Sequence, residues 1–320
     1  MKKKAISAIK PTGIVHVGNY FGAMKNFVDL QDDFQLSIFV ADLHALISIK
    51  DAKKLKKNTI DIVRAYLAIG VDPDKVIIYK QSDIPEVTEL CWILNCLTTM
   101  PQLMRAHAYK DAQEKKKEVT VGLFDYPILM ASDILIHNAQ IVPVGKDQIQ
   151  HIEIARETAR KFNQEFGDLF VEPEEYVVKS VETVPGLDGQ KMSKSYNNII
   201  PLFASKDEIT KTVMKIPTDS ASIDDPKDIN GTLFAIHTLF ITPEEKAELA
   251  EKYQYGKIGY KEAKEACIES IERYIKPLRD KYNNITDEEV IKVLDAGKEK
   301  ISKRIELQME EVRRAVGLTV

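Results

Sequence analysis

The strongest constraint on the fold is the order of patterns in the first half of the chain, where short β-rich runs alternate with helical stretches. The runs Ala5 to Ile9, Leu36 to Ala41, Val76 to Tyr79 and Ile141 to Val144 are dominated by apolar and β-branched residues, which favour a pleated, buried strand. Between the second and third lies a helical stretch that Asp51 can cap at its start and Gly70 can end, with Ile60, Val63, Leu67 and Ile69 as its expected apolar side. A strand, a helix and a second strand in this order make a βαβ unit, and repeated units imply a parallel sheet covered by helices on both faces. After about Ser195 the strand signals fade and helical periodicity takes over. In the last stretch Ile301, Ile305, Val312 and Val316 recur near a 3.6-residue period. The expectation is an α/β domain over residues 1–195 followed by a smaller all-helical domain over 196–320.

With 320 residues the chain can build two cores. No apolar run approaches the roughly 18 residues that span a bilayer, and Ala5 to Ile9 is too short for a secretory signal, so a cytoplasmic location is expected, with no membrane partner. Cys91, Cys96 and Cys267 are the three cysteines, without a C-x-x-C pair, which argues against a disulfide framework or a cysteine zinc site. A formal net charge of -4 gives no global footprint of nucleic-acid binding. Local clusters such as Lys53 to Lys57, Lys115 to Lys117 and Lys298 to Arg304 read first as solvated helix faces.

Leu90 to Leu97 is nearly all apolar, includes the single tryptophan, Trp92, and follows Pro85, a helix-starting residue. A helix apolar on most faces needs more than one burial partner. It is either a central core helix or part of a subunit interface.

The first strand runs into Lys10-Pro11-Thr12-Gly13 and then His16-Val17-Gly18-Asn19 ahead of an amphipathic helix. Free N–H groups at such a turn can hold an anion, although an ordinary strand-to-helix turn reads the same way. The second element is Lys191-Met192-Ser193-Lys194-Ser195, which follows the glycine-bearing run Pro185 to Gly189 and offers two cations on a loop. The pairing of KMSKS with an upstream HIGH-like HVGN resembles the class I aminoacyl-tRNA synthetases. Asn19 stands where that family's signature has its second histidine, a variation usual in the tryptophan branch.

A third stretch is Asp125-Tyr126-Pro127-Ile128-Leu129-Met130-Ala131-Ser132-Asp133-Ile134-Leu135. With Pro127 in a first helical turn, Tyr126, Met130 and Asp133 would share one face and aim an acid along an apolar stripe. A buried carboxylate needs a donor to offset its desolvation, and an indole N–H is only a donor; a structural pairing or cap would serve the acid equally well. Together with the run Val142 to His151, this stretch resembles the amino-acid-binding region of bacterial tryptophanyl-tRNA synthetases. Lys10 and Lys146 stand where many members have glutamine and glutamate, which matches a second bacterial group that also carries the run Gly186 to Asn198. The resemblance covers Ala5 to about Gly317 and is weakest over residues 219–295.

The resemblance implies a Rossmann-like catalytic domain with a helical insertion near residues 85–117 that forms a homodimer interface, and a helical anticodon-binding domain. It implies activation of L-tryptophan by ATP, with Mg2+ carried by the nucleotide and no protein metal site, and transfer to the 3' end of tRNA(Trp). His16, Asn19, Lys191 and Lys194 would be catalytic. ATP would meet Lys10, Pro11, Thr12, Gly18, Asn19, Gly145, Lys146, Asp147, Val184, Lys191, Met192, Ser193, Lys194 and Ser195. Tryptophan would meet Ile6, His44, Tyr126, Met130, Asp133, Val142, Val144 and Gln148, with the indole N–H on Asp133 and the α-ammonium held by Tyr126 and Gln148. His44 taken alone is also readable as a structural histidine. The alternatives are a tyrosyl-tRNA synthetase, or a paralogue that only adenylates or binds nucleotide.

Overall fold

The computed structural model describes residues 2–115, 118–145, 148–177 and 184–319. The chain runs through β1 (Lys4–Ile9), β2 (Gln35–Val40), α1 (Ala52–Ile69), β3 (Ile77–Lys80), α2 (Glu86–Asn95), α3 (Val121–Leu135), β4 (Ile141–Val144), α4 (Ile149–Phe166) and β5 (Glu174–Val177). It continues through α5 (Lys206–Val213), α6 (Pro243–Gln254), α7 (Tyr260–Asn284) and α8 (Asp287–Ala315), with shorter helices between. All strand pairs are parallel, in the order β3-β2-β1-β4-β5. Connections therefore leave β1 in one direction and β4 in the other, and the carboxyl ends of these two neighbours flank the crevice where open α/β sheets bind ligands.

The first four strands lie within one residue of their expected bounds. β5 was not foreseen, because all four of its residues are exposed and Glu174-Glu175-Tyr176-Val177 lacks the apolar signature of a buried strand. Asp51 caps α1 by accepting the N–H groups of Lys53 and Lys54, and Gly70 ends it at φ 104°. The buried side of α1 is Ile62, Val63, Tyr66 and Ile69, whereas Ile60 and Leu67 are only half-buried; the expected stripe was rotated because Tyr66 and the small Ala65 and Ala68 take the inner positions. α3 also departs from expectation. It starts at Val121, where the Thr120 hydroxyl accepts the Leu123 N–H at 3.2 Å, so Pro127 lies in the helix interior and has no N–H to return to the preceding turn.

The chain divides by contacts into two units, Met1–Gly13 with Asn26–Lys179 and Thr286–Val320, and Ile14–Lys25 with Ser180–Ile285. The boundary expected at residue 195 is thus replaced by two discontinuous units. The terminal helix α8 belongs with the sheet. Its apolar side, Leu294, Ile301, Ile305, Met309 and Val312, is buried, and the last four of these join the core of Ile6, Phe39, Tyr79, Leu90, Leu94, Ile128 and Phe162. Thr286 and Glu289 form a capping box at its start. At its other end the Arg313 guanidinium donates to both carboxylate oxygens of Glu89 at 2.8 and 2.7 Å, a bidentate pair that fixes direction as well as contact.

α8 packs against the outer strand β3, and Gly297 makes the approach possible. A Cβ there would lie 1.8 Å from the Ile78 carbonyl oxygen. Glycine inside a helix costs about 1 kcal/mol relative to alanine, so the close approach outweighs local propensity here. Gly297→Ala is expected to destabilise the sheet unit by at least about 2 kcal/mol through forced displacement of backbone, read as a lowered denaturant midpoint; an unchanged or raised midpoint would mean that α8 can shift at no cost.

Candidate functional site

In the sheet unit the candidate residues gather at the carboxyl ends of the strands. Ile6 on β1 and Val142 on β4 are buried, and Val144 and Met130 are half-buried. β1 continues into Lys10, whose ammonium lies 5.1 Å from the centroid of the Tyr126 ring, within cation–π range. The turn after it is held from below: the Asn58 amide donates to the Pro11 carbonyl at 2.8 Å, and the Thr12 N–H to the Lys10 carbonyl at 2.8 Å. Gly145 is exposed and accepts the N–H of half-buried Gln148 at 3.0 Å. Lys146 and Asp147 lie outside the described residues.

α3 brings Tyr126, Met130 and Asp133 to one side, as their spacing requires. The Tyr126 hydroxyl is 3.0 Å from His151 Nε2, and its ring meets the His44 ring edge-to-face at 6.1 Å. Asp133 is 3% exposed. Its Oδ2 is 3.0 Å from His44 Nε2, and both its oxygens are 2.9 Å from the Gln81 side-chain nitrogen. Burial pushes the carboxyl up from its usual range, while the hydrogen bonds from His44 and Gln81 pull it back. His44 is therefore a partner of the acid. Gln81 and His151 were not among the expected binding residues. His151 could have been found from its place in the run Val142 to His151, but Gln81 stands in no motif, and its role appears only once β3 delivers it to Asp133.

In the second unit His16 is extended, with φ -127° and ψ 166°, and precedes a single helical turn, Val17–Asn19. The Asn19 side-chain oxygen accepts the His16 N–H at 3.2 Å, which is a structural reason for an amide where the signature has histidine. Burial, and then the nearby Lys194 cation, lower the His16 imidazole to about 4, so near neutral pH it is an uncharged N–H donor. The Gly18 N–H points at the Met192 sulfur at 3.2 Å. A Cβ on Gly18 would stand 3.0 Å from His16 Nδ1 and 3.2 Å from the Met192 Cβ, so the HVGN turn and the KMSKS loop meet closely at a position where a side chain would be tight.

The loop itself is knotted by Asn198, a residue outside the expected set and 2% exposed. Asn198 accepts the Ser193 N–H at 2.8 Å and donates to Asp188 at 2.7 Å and to the Lys191 carbonyl at 3.2 Å. Its amide holds the Asp188 carboxyl below the usual carboxylate range. Met192 donates its N–H to the Val184 carbonyl at 2.9 Å, and both side chains are buried. Ser193 and Ser195 hydroxyls are 2.9 Å apart. Lys191 is left exposed and Lys194 half-buried.

The family described as tRNA synthetases class I (W and Y) matches residues 2–276. The tryptophan–tRNA ligase of Fusobacterium nucleatum is 44% identical over 98% of this chain and 96% of its own length, and that of Campylobacter jejuni is 43% identical over 98% of this chain and 100% of its own. The crystal structure of the Campylobacter jejuni tryptophanyl-tRNA synthetase complexed with ADP and tryptophan superposes with a TM-score of 0.92 at 42% identity, covering 98% of this chain and 99% of that one. That of Mycoplasma pneumoniae does so with a TM-score of 0.84 at 28% identity. A sheet that opens between β1 and β4, an HVGN turn packed on KMSKS and a match across this length have one common reading: the chain belongs to the class I tRNA synthetases of the tryptophan and tyrosine type.

Proposed function

We propose that the chain is a tryptophan–tRNA ligase. The observation that carries the choice of amino acid is Asp133, a buried acceptor beside apolar residues at the crevice, which suits the N–H of an indole. Met130, Ile6, Val142 and Val144 supply the apolar wall, and Tyr126 and Gln148 the polar end for the α-ammonium. The tryptophan carboxylate attacks the α-phosphorus of ATP, the bond to the bridging oxygen breaks, and pyrophosphate leaves. A ribose hydroxyl at the 3' end of tRNA(Trp) then attacks the activated carbonyl, and AMP leaves.

The charge that moves onto the leaving pyrophosphate is met by Lys191 and Lys194, with His16 and Asn19 as neutral donors; electrostatic groups of this kind act where charge develops. Lys10, Pro11, Thr12, Gly18, Gly145, Lys146, Asp147, Val184, Met192, Ser193 and Ser195 would complete the nucleotide contacts. Magnesium would accompany ATP as its phosphate counter-ion, using phosphate oxygens and water as ligands. Among the described residues no group of three or more His, Cys, Asp or Glu side chains is placed to hold a metal ion. The helical region expected over residues 196–320 would contact the anticodon. No helix among the described residues is long and apolar enough to cross a membrane, and the proposed location is the cytoplasm.

A homodimer through the region 85–117 is part of the same reading. Leu90, Cys91, Ile93 and Leu94 are buried in the core, whereas Trp92 is 72% exposed and Met100 58%, large apolar groups within the region that a second subunit would cover. Sedimentation at micromolar concentration is expected to give twice the chain mass of 36.3 kDa; a fully active monomer would end the dimer assignment.

Amino-acid-dependent exchange of pyrophosphate into ATP, run across the twenty amino acids, is expected to respond to tryptophan alone. Stimulation by tyrosine instead would overturn the assignment, and exchange without charging of tRNA would indicate an enzyme that only adenylates. Lys194→Ala is expected to slow adenylate formation by about two to three orders of magnitude with little change in ground-state ATP affinity, measured by rapid quench. An unchanged rate with a merely raised ATP dissociation constant would remove Lys194 from the transition state.

A further inference from the structure

Gln81 is the first residue after β3, in the short turn Gln81–Asp83, and it is completely buried, at 0% exposure. A primary amide in such a place must satisfy both its ends or cost the fold dearly. Its oxygen accepts the backbone N–H of His44 at 3.3 Å. Its nitrogen lies 2.9 Å from each oxygen of Asp133. One side chain thus bridges the turn after β2 to the acid on α3.

The arrangement has a stoichiometric consequence. A carboxylate offers about four acceptor positions, two on each oxygen. The Gln81 nitrogen sits astride the two oxygens and shares its N–H between them; among the described residues Oδ2 also receives His44 Nε2, whereas Oδ1 receives no further donor. Among the described residues the acceptor position left open is therefore on Oδ1, the oxygen that has only the shared donor.

We propose that Gln81 is a positioning residue for amino-acid selection: with His44 it saturates Oδ2 of Asp133 and sets the carboxylate so that Oδ1 alone takes the indole N–H. This rests on the reading of Asp133 given above and adds to it which oxygen is used and what aims it. The rotation of a carboxylate about its final bond is soft, and a single donor at the ring edge demands a defined lone-pair direction. Gln81 supplies that direction because its own position is locked at both ends. The same bridge couples His44, whose N–H it accepts, to the acid that His44 also meets through its ring.

The test compares L-tryptophan with its benzothiophene analogue, in which sulfur replaces the ring N–H and shape is nearly kept. The ratio of kcat/KM for the two, measured by pyrophosphate exchange, reads the N–H contact alone. The intact enzyme is expected to prefer tryptophan strongly, and Asp133→Asn to lose most of that preference. Gln81→Met keeps the length and removes the donor. It is expected to lower the ratio by about one to two orders of magnitude, the range for a hydrogen bond to a charged group, with the KM for ATP unchanged.

Should the Met variant fail to fold by circular dichroism, Gln81→Asn keeps the amide but withdraws it by one methylene, and the same loss of ratio is expected. If either folded Gln81 variant slows both substrates equally and leaves the ratio intact while Asp133→Asn collapses it, Gln81 is a structural amide only and the proposal fails alone. If Asp133→Asn leaves the ratio intact, or the intact enzyme shows no preference, the reading of Asp133 fails and carries this proposal with it.

Discussion

A carboxylate taken out of water must be compensated by donors that the fold itself holds in place, and the sheet unit is arranged around that requirement at Asp133. Burial alone drives the acid toward its neutral form. The compensating groups come from elsewhere: His44 from the turn after β2, and Gln81 from the turn after β3. α3, which carries the acid, is fixed by Ile128, Ala131, Ile134 and Leu135, all within 3% of full burial. Three segments distant in sequence therefore have to be placed together to offset the burial of the acid, and the core that places them is the one α8 closes.

The sheet order decides where this happens. Because the connections diverge from β1 and β4, the carboxyl ends of these strands flank the crevice where open α/β sheets bind ligands. Lys10 and Gly145 leave the sheet on either side of that opening. Tyr126 reaches toward it from α3, with the Lys10 ammonium over its ring. The apolar wall and the polar end of the candidate pocket then follow from strand alternation and helix spacing, without special backbone geometry.

Close approach is the second recurring device. At Gly18 a Cβ would be tight against His16 and Met192, at Gly186 it would fall 2.2 Å from the Asn198 amide nitrogen, and at Gly297 it would strike the Ile78 backbone. At Gly18 and Gly297 the absent side chain lets segments far apart in the chain come close, and at Gly186 it lets the loop fold onto its own Asn198. The loop that carries Lys191 and Lys194 is a glycine-bearing turn and is also tied through Asn198, so its local shape is set by hydrogen bonds. That combination suits a loop whose charges must be delivered in a defined arrangement.

The amino-acid sequence by itself determined four of the five strands, the caps of α1, the common face of Tyr126, Met130 and Asp133, and the two signature segments, because period, capping chemistry and motif spacing are local properties that each segment carries alone. It misplaced the start of α3 and the inner side of α1, where small and aromatic residues override a simple apolar stripe. Only the tertiary structure decided that β5 closes the sheet with four exposed residues, that α8 returns to the sheet instead of staying with the helical region, and that the HVGN turn groups with the KMSKS loop. It alone placed Gln81 on Asp133 and Asn198 inside the loop. A buried amide is selected by what stands opposite it, and the residues opposite, 52 positions away for Gln81 and Asp133, become neighbours only when the strands have paired and the helices have packed.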